Sequence, residues 1–155
     1  MSARHVVLNL LRKCMMDLDA PTSANSLQAT LGQRRIRRFE PGHAEIEYEC
    51  GLHMCHSGGV AQGGFVGGWI DAAMAHAVMA TCEPGLVPMS LELKISYFAP
   101  TNPGLVVAEA WVESGGGRTW FVEGRLCNSA GKVLAKASST VRLLPAQKVA
   151  DTMTG

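Results

Sequence analysis

The spacing of apolar residues changes once along the chain. Between Gly63 and Cys82 they follow one another almost without a break, and the run stops at Glu83-Pro84-Gly85, where Pro84 cannot continue a helix. This predicts one long apolar helix. Beyond it the period is two: Met89, Leu91, Leu93, Ile95 and Tyr97 alternate with Ser90, Glu92, Lys94 and Ser96, which puts Ser90 on the polar face of a strand. The turns PTNPG (Pro100–Gly104), GGG (Gly115–Gly117) and NSAG (Asn128–Gly131) divide the remainder into strands over Leu105–Glu113, Thr119–Cys127 and Val133–Leu144. Upstream, Ala44, Ile46 and Tyr48 alternate with Glu45, Glu47 and Glu49, a strand with one wet face, and Arg34–Phe39 precedes it across the turn Glu40–Gly42. Val7, Leu8, Leu11, Met15 and Leu18 fit a modest amphipathic helix over residues 4–18.

The predicted order is helix, two strands, the long helix, then four antiparallel strands. A helix apolar on every side has to be enclosed, so the expected fold is α+β, an antiparallel sheet wrapped around one central helix. Residues 1–33 read as a helix and connection, 34–145 as one domain and 146–155 as a loose tail.

With 155 residues the chain is long enough for a real core. Apolar residues make up 47% and charged ones 17%, so partner subunits are expected to cover part of the surface. A net charge of +1 with no basic block argues against nucleic-acid binding. No stretch is long enough for a membrane span, and the short run His5–Leu11 is no secretory signal. Five scattered cysteines then fit free thiols in a reducing cytoplasm. Cys50, His53, Cys55 and His56 lack the paired spacing of a structural zinc site, so no metal is expected.

Asp71 is the only Asp, Glu, Lys or Arg between Glu49 and Glu83, and it lies inside the apolar helix. A carboxylate in such surroundings costs free energy unless it is paired or hydrogen-bonded, which makes it a candidate for chemistry. Just ahead, Gly63 and Gly64 open the helix, where amides are unpaired and the dipole favours negative charge; glycine lets a ligand approach them. Such a terminus can hold the oxyanion formed when a carbonyl is attacked. Asp71 lies about two turns further on, roughly 10 Å along the axis, too far to share one carbonyl with those amides. A second copy with its helix antiparallel would bring Asp71 against the partner's Gly63, so a homodimer is expected, or a homotetramer of dimers.

The stretch His56–Asp71, HSGGVAQGGFVGGWID, resembles the hotdog-fold acyl-CoA thioesterases, most closely the subgroup typified by phenylacetyl-CoA thioesterases. That subgroup carries Asn, Gly, then His-Gly-Gly, then an Asp seven residues after the second Gly. The matching positions here are His56, Gly59, Gln62, Gly63, Gly64 and Asp71. SLELKISYFAPTNPG (Ser90–Gly104) and NSAGKVLAKA (Asn128–Ala137) extend the resemblance over about residues 40–143. It implies hydrolysis of an acyl-CoA to free acid and CoA at a site shared by two subunits, with no cofactor beyond the CoA of the substrate. Asp71 would activate water or attack the carbonyl, and the Gly63 amide, with Gly64 beside it, would donate to the oxyanion. Ser90 would place the water, and Gln62 and His56 would orient the thioester or assist the leaving thiolate. Gln62 stands where the family has His and His56 where it has Asn. Those departures keep open a non-catalytic acyl-CoA-binding protein; a dehydratase or hydratase of acyl thioesters is disfavoured, because the helix offers one Asp and no catalytic His–acid pair. Trp69 and Met89 are candidates to line the acyl site. The identity of the acyl group is not encoded legibly.

Overall fold

The computed structural model describes residues 24–152; the helix predicted over residues 4–18 lies outside them. Six strands form a single antiparallel sheet: β1 (Gln33–Glu40), β2 (His43–Cys50), β3 (Leu86–Tyr97), β4 (Gly104–Ser114), β5 (Thr119–Asn128) and β6 (Val133–Pro145), in the order β1-β2-β4-β5-β6-β3. A single turn, α1 (Leu27–Thr30), precedes β1 and is capped by Ser26, whose Oγ accepts the Ala29 N–H. The long helix, α2 (Gly63–Met79), joins β2 to β3 and touches all six strands. It ends three residues earlier than the sequence predicts. A last short helix, α3 (Ala146–Thr152), stands where a loose tail is expected.

Packing follows from the two periodicities. Trp69, Ile70, Met74 and Val78 of α2 are fully buried against Ile46 and Tyr48 of β2, Val106 of β4, Leu126 of β5 and Val141 of β6. Each such side chain contributes about 1.5–3 kcal/mol of transfer free energy, so this interlock is the main stabilising term. The sheet comes close to the helix at Gly124: a Cβ there would lie 2.7 Å from Ile70 Cγ2 and 3.2 Å from the Glu109 carbonyl oxygen.

Strand β3 departs from simple alternation. Its register with β6 shifts between Ser90, opposite Val141, and Glu92, opposite Thr140. Leu91 is the extra residue of a bulge, and a bulge reverses the parity of everything on one side of it. Ser90 therefore shares the inner face with the buried Val141, facing α2, whereas the sequence pattern puts it on the polar face. Met89, opposite the exposed Arg142, is turned outward.

The two edges of the sheet differ. On β1, Arg34, Arg35 and Arg37 reach Glu49, Glu47 and Glu45 of β2 at 3.3–3.6 Å, and Arg37 also meets Glu47 at 3.0 Å. Such exposed pairs add about 0–1 kcal/mol each, but the charge blunts the edge against strand addition. The β3 edge is longer and exposes Leu91 and Tyr97.

Gly124→Ala is expected to destabilise the fold by about 1–3 kcal/mol through overpacking against Ile70 and the β4 backbone, measured as a lower urea midpoint with an unchanged slope.

Candidate active site

Helix α2 begins in a tightly held corner. The preceding loop is cross-tied by the Cys55–Ala61 bridge, the Ala61 N–H donates to the Thr101 carbonyl, and the Gln62 N–H donates to the Met54 carbonyl at 2.9 Å. Gln62 is the N-cap, with extended backbone, and its side-chain Oε1 accepts the Gly64 N–H at 2.7 Å. The neighbouring Gly63 N–H has no hydrogen-bond partner among the described residues. It points from the positive end of the helix dipole, the place where a developing oxyanion is best stabilised. On the other side of the same residue, the Tyr97 hydroxyl donates to the Gly63 carbonyl at 3.0 Å.

From this corner one stripe of α2 runs along the inner face of β3. Gly63 lies under Tyr97, and a Cβ on Gly67 would meet Ile95 Cδ1 at 2.9 Å. Asp71 follows, its Oδ1 accepting from Ser90 Oγ at 2.7 Å. The structure thus joins Asp71 to Ser90 at one end of the stripe and Gly63 to Gln62 and Tyr97 at the other. Asp71 is half-buried in the single chain, not enclosed by it. The ends are eight residues apart, ~12 Å along a helix, so one carbonyl cannot reach both within a protomer. Tyr97 escapes sequence reasoning because it reads as the last apolar residue of an alternating strand; only its place over Gly63 makes its hydroxyl part of this corner.

The other expected residues fall elsewhere. His56 is exposed in the loop before α2, where its Nδ1 accepts the Gly58 N–H at 3.0 Å. Trp69 belongs to the core rather than to a substrate surface. It is fully buried between Tyr48 and Phe65, and its indole N–H donates to the Leu31 carbonyl at 2.8 Å. Met89 is turned by the bulge to the face opposite Asp71 of its own chain. Gly64 does not offer a free amide, because Gln62 holds it. Arg125 is bound to Glu109 at 2.7 Å and lies over Trp111. Cys50 and Cys55 both direct their thiols at the Gly51 carbonyl, and burial, then the adjacent Cys55, push Cys50 up to about 11. No group of His, Cys, Asp or Glu among the described residues is placed to hold a metal ion. A cleft of about 200 Å³ lies between the β3–β4 turn and the β5–β6 hairpin, lined by Pro100, Asn102, Pro103, Leu105 and Asn128, away from Asp71.

Comparison with known proteins places this architecture. A family model described as the thioesterase superfamily matches residues 58–135, from the loop ahead of the helix to β6. A crystal structure from Ralstonia eutropha JMP134, described as a candidate thioesterase and phenylacetic acid degradation-related protein, is 30% identical with a TM-score of 0.73, covering 88% of this chain and 98% of that one. A thioesterase family protein from Silicibacter pomeroyi superposes with a TM-score of 0.76 at 19% identity, over 90% and 99% of the two chains. A protein of Streptococcus mutans UA159, solved bound to acetyl CoA, superposes with a TM-score of 0.66 at 22% identity, over 71% and 87%. None of the curated proteins matches significantly in sequence. The chain belongs to the thioesterase superfamily, and its fold is the hotdog fold: the antiparallel sheet is the bun and α2 the filling. No helix among the described residues is long and apolar enough to cross a membrane.

His76, on the same helix, is buried beside Phe39 and bonded through Nδ1 to the Ala72 carbonyl at 2.7 Å; burial lowers its pKa, and that bond offsets part of the effect. A proton that the unfolded chain takes up near pH 6.5 is thus resisted by the folded one. The stability His76 contributes is present above that pH and lost as the pH falls below it, with a slope of at most ~1.4 kcal/mol per pH unit. Urea denaturation at pH 7.5 and 5.5 is expected to show a larger acid loss in the wild type than in His76→Gln.

Proposed function

We propose that this protein hydrolyses acyl-CoA thioesters as a homodimer, with each active site built from the Asp71–Ser90 end of one subunit and the Gly63 end of the other. The observation that carries the reading is the stripe itself. The only acid of α2 is held by a serine at 2.7 Å, on the same helix face as an open N-terminal amide but ~12 Å from it. A second copy resolves that separation. Two β3 strands paired antiparallel about Lys94, with the bulge at Leu91 taking up the odd residue, bring Tyr97 beside Ser90 of the partner subunit. Gly63 then comes beside Asp71 of the partner subunit, across strands only about 4.8 Å apart. The long β3 edge, which carries one acid and one base, Glu92 and Lys94, where β1 carries four arginines, suits such a pairing.

In that arrangement the thioester carbonyl oxygen accepts from the Gly63 N–H at the positive end of α2. Asp71 of the partner subunit, oriented by Ser90 of the partner subunit, takes the proton from an attacking water or attacks the carbonyl carbon directly. The tetrahedral oxyanion collapses with release of the CoA thiolate; the water route leaves the free acid, and direct attack leaves a mixed anhydride with Asp71 that water then hydrolyses to the free acid. Gln62 fixes the helix mouth, and His56 stands on the loop that leads to it. The ligand class draws support from family membership and from the acetyl CoA bound by the fold neighbour from Streptococcus mutans. Two dimers pairing into a tetramer, and a cytoplasmic site of action, accord with this reading.

One observation favours a second reading, a non-hydrolytic acyl-CoA-binding protein. Gln62, where the family carries a titratable His, spends its side-chain oxygen on the Gly64 N–H and leaves a single open amide.

Thiol release from a panel of acyl-CoAs separates the two. Hydrolysis is expected for the wild type, with kcat reduced about 10²–10⁴-fold in Asp71→Asn, the contribution of a positioned general base. Tight binding of every ester without thiol release by the wild type would establish the binding protein instead.

A further inference from the structure

We infer that Tyr97 is a positioning residue for the oxyanion amide, acting with Gln62 as a clamp on the Gly63–Gly64 peptide. The clamp is visible in two hydrogen bonds to one peptide unit. The carbonyl oxygen of Gly63 accepts from Tyr97 Oη at 3.0 Å, and the N–H of Gly64, at the other end of the same plane, donates to Gln62 Oε1 at 2.7 Å. A peptide is planar, so holding its oxygen and its N–H fixes the whole unit, including the Gly63 Cα at its end.

The need for a clamp follows from the residue it holds. Glycine limits neither φ nor ψ, and the first amide of a helix lacks the intrahelical bond that steadies later ones. The Gly63 N–H lies in the preceding peptide, which is held at one end by the Gln62 carbonyl accepting from the Phe65 N–H at 2.9 Å; the clamp holds the other end of that plane, the Gly63 Cα. Oxyanion stabilisation depends on a donor already aimed where the charge develops, and displacements of about 1 Å cost orders of magnitude in rate. The packing leaves room for the clamp only because Gly63 lacks a side chain: a Cβ there would stand 3.0 Å from Tyr97 Oη and 3.3 Å from Cζ. In the single chain Tyr97 is 55% exposed, and nothing in the core needs its hydroxyl. Both ends of the plane are hydrogen-bonded, and a polarised peptide also strengthens the dipole at the helix mouth.

This role rests on the hydrolase reading above, and its test separates the two. Tyr97→Phe removes one hydroxyl and keeps the ring that packs at the proposed strand-to-strand seam, so thermal stability is expected to stay near that of the wild type. The backbone order parameters of Gly63 and Gly64, from ¹⁵N relaxation, are expected to fall from the roughly 0.85 of rigid backbone toward the roughly 0.6 of mobile backbone. On the best ester of the acyl-CoA panel kcat is expected to fall about tenfold with KM within twofold, less than the 10²–10³-fold that follows loss of an oxyanion donor. Gln62→Ala is expected to loosen the same two amides from the other end. Unchanged order parameters in both variants overturn the clamp whatever the activity. Loosened amides with a wild-type kcat in Tyr97→Phe overturn the positioning role. A wild type inactive on every ester, with amides that loosen in both variants, removes the hydrolase reading and with it the catalytic role, while the clamp remains as a structural device.

Discussion

Helix α2 lies against strand β3 at a distance that ordinary side chains would not permit. With alanine at position 67 the new methyl would stand 2.9 Å from Ile95, and at position 63 it would crowd the Tyr97 hydroxyl. Much of the local structure depends on this close approach. It lets Ser90 reach Asp71, it puts Tyr97 over the first peptide of the helix, and it lays two chemically different ends along one groove. Apolar packing on the remaining sides of α2 holds the helix in place, through Trp69, Ile70 and Met74. The small stripe determines where it stops.

The electrostatics of the groove are correspondingly sparse. Asp71 brings the only formal charge of α2, and Ser90 supplies one donor, which leaves most of the carboxylate's acceptor capacity open. At the other end a partial positive charge of the helix terminus faces outward through the Gly63 amide. A negative proton acceptor and a positive oxyanion seat, kept apart in one chain, avoid neutralising each other before a substrate arrives. The ion pairs of the β1–β2–β4–β5 part of the sheet lie on its outer face, as with Glu109 between Arg125 and His43.

Much of this was legible in the residues and some of it was not. The switch from continuous to alternating apolar positions located the helix and the later strands, because burial on all sides and burial on one side leave different periods. Asp71 and the glycines stood out as exceptions to their surroundings. Trp69 did not declare itself as core, since a large aromatic next to a catalytic motif looks the same whether it packs inward or toward a ligand; the Leu31 carbonyl that takes its N–H lies far away in sequence. The bulge at Leu91 was hidden as well, because the alternation of letters continues through it unbroken while the backbone does not. That one extra residue reassigns Ser90 to the helix and Met89 to the opposite face. Tyr97 was invisible as a site residue for a similar reason: its neighbour across space, Gly63, is fixed by topology.

The contrast between the two sheet margins sets how large an assembly can grow. An arginine-studded strand at one end and, at the other, a strand whose charges are the single opposite pair Glu92 and Lys94 make the β3 margin the more receptive to another strand among the described residues. A strand-to-strand contact between two like margins is self-complementary and consumes both. What it leaves outside is charge on either flank, with nothing for a third chain to extend. Head-to-tail addition, which would turn a sticky sheet into a fibre, has no second sticky end to use. The same asymmetry that creates a shared groove therefore guards the protein against open-ended polymerisation.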